Sequence, residues 1–304
     1  MSTLLCFGLG YCAQRYVAAC GHSYDCVIGT SRSPKAPVDS AGRAATSRVR
    51  LLEFDGSTVS TDLAGALDCA DRILVSIPPS PQGDLVLAAC GEKLAHLPRL
   101  QSIVYLSSVG VYGDHDGAEV DEETIPSPRS DRSRVRLAAE RAWQDLGARI
   151  ARPVAVLRLA GIYGPGRNIL LKLAQGRAVR IVKPKQVFNR IHVDDVAQAI
   201  DAAFAKAANG IFNVADDEPC APEEVILYGA RLMGMEPPPA ISFSDAARLM
   251  GPMALSFYAE NKRVRNDKLK RDLGVRLMCP TYHEGLPVLQ QLRSGRSNAG
   301  SFSA

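Results

Sequence analysis

Short apolar runs alternate with stretches of helical spacing along the first two-thirds of the chain. The runs Thr3–Phe7, Asp25–Gly29, Val49–Phe54, Arg72–Ile77, Ser102–Leu106 and Pro153–Leu157 are largely continuous in apolar residues, the pattern of strands covered on both faces. Between several of them, Tyr11–Cys20, Asp84–Leu97 and Ser130–Leu146 predict helices. Strand–helix alternation of this kind implies a doubly wound parallel sheet, the Rossmann α/β fold. Asp194–Ala207 predicts a further helix and Gly210–Val214 a strand returning to the same sheet. After Asp217 the pattern changes: Pro219, Pro222 and Pro237–Pro239 punctuate shorter helices, as in a smaller C-terminal α/β lobe. The expected organisation is therefore a Rossmann domain over 1–165, to which 188–216 returns. A substrate lobe follows from 166–187 and 217–293, and 294–304, rich in Ser and Gly, forms a flexible tail.

Composition narrows the class. The 304 residues are 46% hydrophobic and 22% charged, which suits a globular chain and not a disordered one. A net charge of +4 is too even to argue for nucleic acid. No apolar stretch reaches the ~20 residues of a membrane helix, and the start of the chain reads as a strand, so a cytoplasmic location is expected. The eight cysteines form no C-x-x-C pair and mostly sit in apolar surroundings. They read as small buried hydrophobes in a reducing compartment, with no metal site expected.

The first strand ends in Gly8-Leu9-Gly10-Tyr11-Cys12-Ala13, and a helix follows. This is G-x-G-x-x-A at the first strand–helix crossover. Gly8 permits the tight turn, Gly10 lets the backbone approach a pyrophosphate, and Ala13 allows close helix–strand packing. The second strand selects between cofactors. An NAD site usually ends this strand in a carboxylate, whereas an NADP site places an Arg there for the 2′-phosphate. Here the segment continues Thr30-Ser31-Arg32-Ser33 without an acid, so NADP is expected over NAD. A plain surface arginine after a strand is the alternative. Asp55, after the third strand, is placed to meet the adenine, and Ile77-Pro78, after the fourth, to border the nicotinamide ribose; ordinary loop chemistry explains either one equally well.

Four ordered segments then carry a resemblance. They are Tyr105-Leu106-Ser107-Ser108-Val109-Gly110-Val111-Tyr112-Gly113, Leu157-Arg158-Leu159-Ala160-Gly161-Ile162-Tyr163-Gly164-Pro165-Gly166, Asn189-Arg190-Ile191-His192-Val193-Asp194-Asp195-Val196-Ala197 and Gly210-Ile211-Phe212-Asn213-Val214. In order and spacing the chain resembles, to about Leu286, the extended short-chain dehydrogenase/reductases, the NAD-dependent epimerase/dehydratase family. Two departures stand out. Phe7 replaces the family's first glycine. In the stretch Ser130–Glu140, Leu137 and Glu140 set a register in which Arg132 takes the place of the family's catalytic tyrosine and Arg136 that of its lysine.

The resemblance implies a tyrosine acid/base, a lysine that lowers its pKa and holds the ribose, and a serine that bonds the substrate oxygen. Ser108 keeps the serine position. An arginine, with a pKa above ~12, cannot give and retake a proton near neutrality. Arg132 can still stabilise an oxyanion and Arg136 can still bond the ribose. Tyr112 and His115, on the following loop, offer another proton route, or simply pack there. His192 is expected to be structural, and Asp194 and Asp195 to cap the following helix. The basic segment Asn261–Asn266 reads as either a substrate-phosphate contact or a solvated turn.

Two functions remain open. One is an NADP(H)-dependent oxidoreductase or epimerase-like enzyme with a carbonyl, hydroxyl or sugar-type small molecule held between the lobes. The other is an NADP(H)-binding module without turnover. The helices Asp84–Leu97 and Ser130–Leu146 correspond to a pair that the family often joins across a twofold axis, so a homodimer is expected, with Leu137, Trp143 and Leu146 burying one helix face.

Overall fold

The computed structural model describes residues 1–33, 49–248 and 250–299. Its main sheet contains β1 (Thr3–Phe7), β2 (Cys26–Ser31), β3 (Val49–Glu53), β4 (Arg72–Val75), β5 (Ser102–Ser108), β7 (Val154–Leu159) and β11 (Gly210–Val214). All seven strands run parallel in the order β11-β7-β5-β4-β1-β2-β3. The order reverses between β1 and β4, the place where an open sheet of this kind forms a crevice at the carboxyl ends of its strands. This is the doubly wound α/β fold that the apolar runs imply.

Alternate residues of β1 face opposite layers. Leu4 and Cys6 belong to a core beneath α1 (Tyr11–Cys20) and α6 (Val193–Ala205), while Leu5 and Phe7 face α2 (Thr61–Cys69), α3 (Leu85–Leu94) and α4 (Asp131–Arg149). Helix α2 lies outside the helices that the sequence suggested. Its signals are short: Ser60 caps it by accepting from Leu63 N at 3.2 Å, and Leu63, Ala66 and Leu67 form its buried stripe. The remaining helices are α5 (Ile169–Ala174), α7 (Pro222–Leu232), α8 (Phe243–Ala247), α9 (Pro252–Tyr258), α10 (Asp267–Leu273) and α11 (Tyr282–Ala299). Helix α11 runs past Ser294, where a flexible tail is expected; residues 300–304 lie outside the described residues. Short strands pair as β6 (Glu119–Val120) with β13 (Arg263–Val264), β8 (Gly161–Tyr163) with β10 (Arg190–His192), and β9 (Arg180–Val182) with β12 (Ala240–Ser242). The β6–β13 pair ties the loop beyond β5 to the C-terminal part of the chain.

Two strands extend beyond their apolar runs. β5 continues through Ser107 to Ser108, and β7 through Arg158 to Leu159. Burial is possible there because the polar groups find partners. Arg158 donates to both carboxylate oxygens of Glu140 on α4, at 2.7 Å from Nη2 and 3.1 Å from Nε to Oε2, with the two side chains 2% and 1% exposed. Ser107 Oγ donates to the same carboxylate, and the Arg158 guanidinium lies 4.7 Å from the Tyr112 ring centre.

A second carboxylate anchors two helices at once. Asp84 caps α3 by accepting from Val86 N and Leu87 N, and it also accepts from Trp143 Nε1 at 3.0 Å. Trp143 is fully buried and stacks on Tyr105; Leu137 and Leu146 are buried as well. These three side chains therefore fill the chain's own core. Their helical spacing marks a buried face but cannot say what covers it. Among the described residues, no helix is long and apolar enough to cross a membrane.

Removing one member of the Arg158–Glu140 pair strands a charge in the interior. Glu140→Ala is expected to lower unfolding free energy by about 3–5 kcal/mol, read by chemical denaturation. Replacing both residues by Met is expected to recover most of that loss.

Candidate active-site cleft

The residues singled out in the sequence gather at the carboxyl ends of β1 to β5. Gly8 to Ala13 form the β1–α1 turn, Ser31 and Arg32 end β2, Asp55 follows β3, Ile77 and Pro78 follow β4, and Ser108 ends β5. The glycine turn is fixed by its neighbours. Gly8 N donates to Thr30 Oγ1 at 2.9 Å, Leu9 N to Thr30 O at 2.9 Å, and Ser76 Oγ to Gly8 O at 2.6 Å. Gly8 has φ +85°, and a Cβ there would lie 2.8 Å from Ile77 Cγ1. Only glycine meets both the conformation and the space. Gly10 caps α1 without a side-chain acceptor, so amides of the first turn are left for another acceptor.

A cleft of about 740 Å³ opens beside this turn. One wall carries Gly10, Tyr11, Cys12, Ser108, Arg132 and Arg136; across from it stand side chains from α5, β10, α9 and the segment preceding β13. Ser108 Oγ accepts from Gly110 N at 3.2 Å. Arg136 is 8% exposed and donates to Leu106 O at 3.1 Å, while Arg132, one turn earlier on α4, is exposed at the rim. Ala13 is buried beneath the cleft.

Several candidates lie elsewhere. Arg32 is exposed at the end of β2 and does not line the cleft. Asp55 accepts from the Ser57 amide and hydroxyl, both at 2.8 Å, and these bonds hold its carboxyl below the usual range. Tyr112 does not line the cleft. It is fully buried, donates to Asn213 Oδ1 at 2.8 Å and sits against Arg158. Burial also raises its pKa, so the structure gives it an interior role rather than that of a cleft acid. His115 lies 3.1 Å from Tyr112 O and is likewise outside the cleft lining.

The segment before α6 divides its labour differently from the expectation. His192 caps the helix, its Nδ1 accepting from Asp194 N at 3.3 Å, and burial lowers its pKa. Asp194 instead pairs with Arg15 of α1. Asp195 is buried and accepts from Met278 N at 2.6 Å and Cys279 N at 3.1 Å, fastening the approach to α11. Ligand-type atoms of His192, Asp195 and Cys279 lie within 4.8 Å of one another. The amide bonds above already engage His192 Nδ1 and both oxygens of Asp195.

Lys262 is the main surprise within the basic segment. It is 5% exposed, donates to Gly113 O and Glu260 Oε2 at 2.6 Å each, and lines the cleft. Arg167, Lys172 and Arg190 join Arg132, Arg136 and Lys262 along the walls, whereas Glu260 is the one carboxylate among the lining residues. The positive lining was not visible in the sequence because its members come from four separated segments.

A model of the NAD dependent epimerase/dehydratase family matches residues 84–215. A conserved protein of Silicibacter pomeroyi shares 45% identity and superposes with a TM-score of 0.85, over 96% of this chain and 99% of that one. Protein YeeZ of Escherichia coli K12 is 33% identical over 200 residues, 62% of this chain and 69% of its own length. The chain belongs to the NAD-dependent epimerase/dehydratase family. A Streptomyces 3-diazoavenalumate denitrifying reductase is 30% identical over 139 residues, 43% of this chain and 45% of its own. The family binds NAD(P), and in this chain the glycine turn after β1 borders the cleft.

Asp216, which follows β11, titrates in the interior. Burial pushes its carboxyl up to about 8, partly opposed by Arg190. A carboxyl raised in the folded state favours folding below its unfolded value of about 4, and that contribution is lost as pH climbs through the folded value. Thermal melts are therefore expected to show Asp216→Asn matching wild type in acid and exceeding it above about pH 8.

Proposed function

We propose that the protein is an NADP(H)-dependent reductase that holds an anionic carbonyl compound between its lobes. The observation that carries this reading is the shared cleft, where the glycine turn, Ser108 and Arg136 face cationic side chains of the C-terminal part. A positive, partly enclosed wall concentrates anions and orients a carboxylate or phosphate. Ser108 and Arg136 would hold the nicotinamide riboside of bound NADPH, which would supply hydride, and Arg132 would stabilise the developing oxyanion. Similarity to a named reductase favours reduction over epimerisation. A second reading, NADP(H) binding without turnover, is favoured by Arg132 and Arg136 in the acid/base register and by the burial of Tyr112.

For cofactor choice, Arg32 and the lack of an acid at the end of β2 support NADP. Calorimetric titration is expected to show NADPH binding at least tenfold more tightly than NADH, since a charged hydrogen bond is worth ~1.5–3 kcal/mol. Arg32→Asp is expected to erase that preference; equal affinities in wild type would overturn it. NADPH consumption with an aryl α-keto acid separates the two functional readings. Steady oxidation supports the reductase, and tight binding with no oxidation across such acids supports the module.

The proposed dimer uses what α3 and α4 leave exposed, including Ala88 and Glu92 on one helix and Ala138, Arg141 and Ala142 on the other. Light scattering is expected to give twice the chain mass, and Ala138→Glu with Ala142→Glu to give the chain mass.

A further inference from the structure

We propose that Lys262 is the proton donor of the reaction, supplying from the C-terminal part what the arginine at position 132 cannot. The inference rests on the reductase reading above.

Its first support is placement. Lys262 Nζ donates to Gly113 O, Gly113 N donates to Gly110 O, and Gly110 N donates to Ser108 Oγ. Three successive bonds thus connect the ammonium to the serine at the end of β5, and Ser108, Gly110 and Lys262 all line the cleft. The carbonyl that receives Lys262 is itself fixed. Gly113 has φ +74°, and a Cβ there would stand 1.9 Å from Ser127 O, so this turn admits no other residue without moving the backbone.

The second support is the set of groups available. Arg132 and Arg136 hold their protons at any ordinary pH. Tyr112 and His115 lie outside the lining. Of the phenols that do line the cleft, Tyr11 donates to Pro165 O, Tyr163 donates to Thr281 O and Tyr282 packs against Tyr228 and His283, and burial pushes all three upward. Lys172 is exposed. Lys262 uses two of its three N–H bonds, on Gly113 and Glu260, which leaves one for a substrate oxygen.

The third support is its environment. Burial moves the Lys262 amine downward, while Glu260 and Asp114 oppose that shift. The charged groups facing it are Glu260, Asp114 and Arg129, the last of these paired with Asp114 at 3.1 Å. In the proposed step, bound NADPH would supply the hydride that forms the new C–H bond, the carbonyl π pair moving onto oxygen. Lys262 Nζ–H transfers its proton to that oxygen, giving the alcohol, NADP⁺ and a neutral amine. The amine regains a proton from water, and Glu260 holds the resulting ammonium.

The test uses full-length protein, NADPH and phenylglyoxylate as the anionic carbonyl probe, with single-turnover NADPH oxidation followed against pH. The wild-type rate is expected to fall as pH rises through the lowered Lys262 pKa. Lys262→Arg keeps the charge but cannot release a proton, so it is expected to bind NADPH normally, lose ~10²–10⁴ in rate and lose the alkaline limb. Lys262→Met with Glu260→Gln removes the buried pair together and is expected to be equally slow. Rescue by Lys262→Arg, or an unchanged pH limb in either variant, would overturn the donor role while leaving the reductase reading intact. Failure of wild type to oxidise NADPH while binding it tightly would overturn both.

Discussion

Arg158 and Glu140 meet where neither reaches water, and the arrangement of the cleft follows from that pair. A lone buried charge costs several kcal/mol, so the two elements that carry them, β7 and α4, are held in one relative position. Ser107 joins the same carboxylate from β5. With helix and strands fixed, the face of α4 carrying Arg132 and Arg136 must look toward Ser108. The guanidinium of Arg158 also covers Tyr112, whose hydroxyl turns to Asn213. One interior ion pair thus positions the cleft's serine and arginines and holds Tyr112 in the interior.

The opposite wall is assembled by different forces. Strand β13 pairs with β6, carrying Lys262 to the loop beyond β5, while Asp195 holds the approach to α11 against α6. Each join uses backbone groups on at least one side, so the wall depends on chain path more than on side-chain identity. The cations it presents share little carboxylate company within the cleft. In a partly enclosed crevice their field is stronger than on an open surface.

Local pattern revealed what local pattern controls. β1 and α1 coincide with the apolar run and helical stretch that the sequence marks, and the G-x-G turn follows from two glycines and an alanine. The ends of β5 and β7 were hidden because Ser107 and Arg158 look like surface residues until Glu140 is placed beside them. Trp143 showed a buried face, but only the fold identifies Asp84 and Tyr105 as its neighbours. Lys262 was the hardest to read. Around β13, Lys262, Val264 and Asn266 are buried while Arg263 and Arg265 are exposed, and charge alone cannot tell those positions apart. Tyr112 misled for the opposite reason: its place in the chain is next to the serine, but its side chain enters the interior.

The bond from Lys262 to Gly113 spans 149 residues of chain. Synthesis at about 5–20 residues per second places roughly 7–30 s between the emergence of its two ends. The first five strands and the glycine turn are complete well before that bond can form. A nascent chain therefore completes the wall that carries the glycine turn and Ser108 before the lysine that joins it from the C-terminal part has been synthesised.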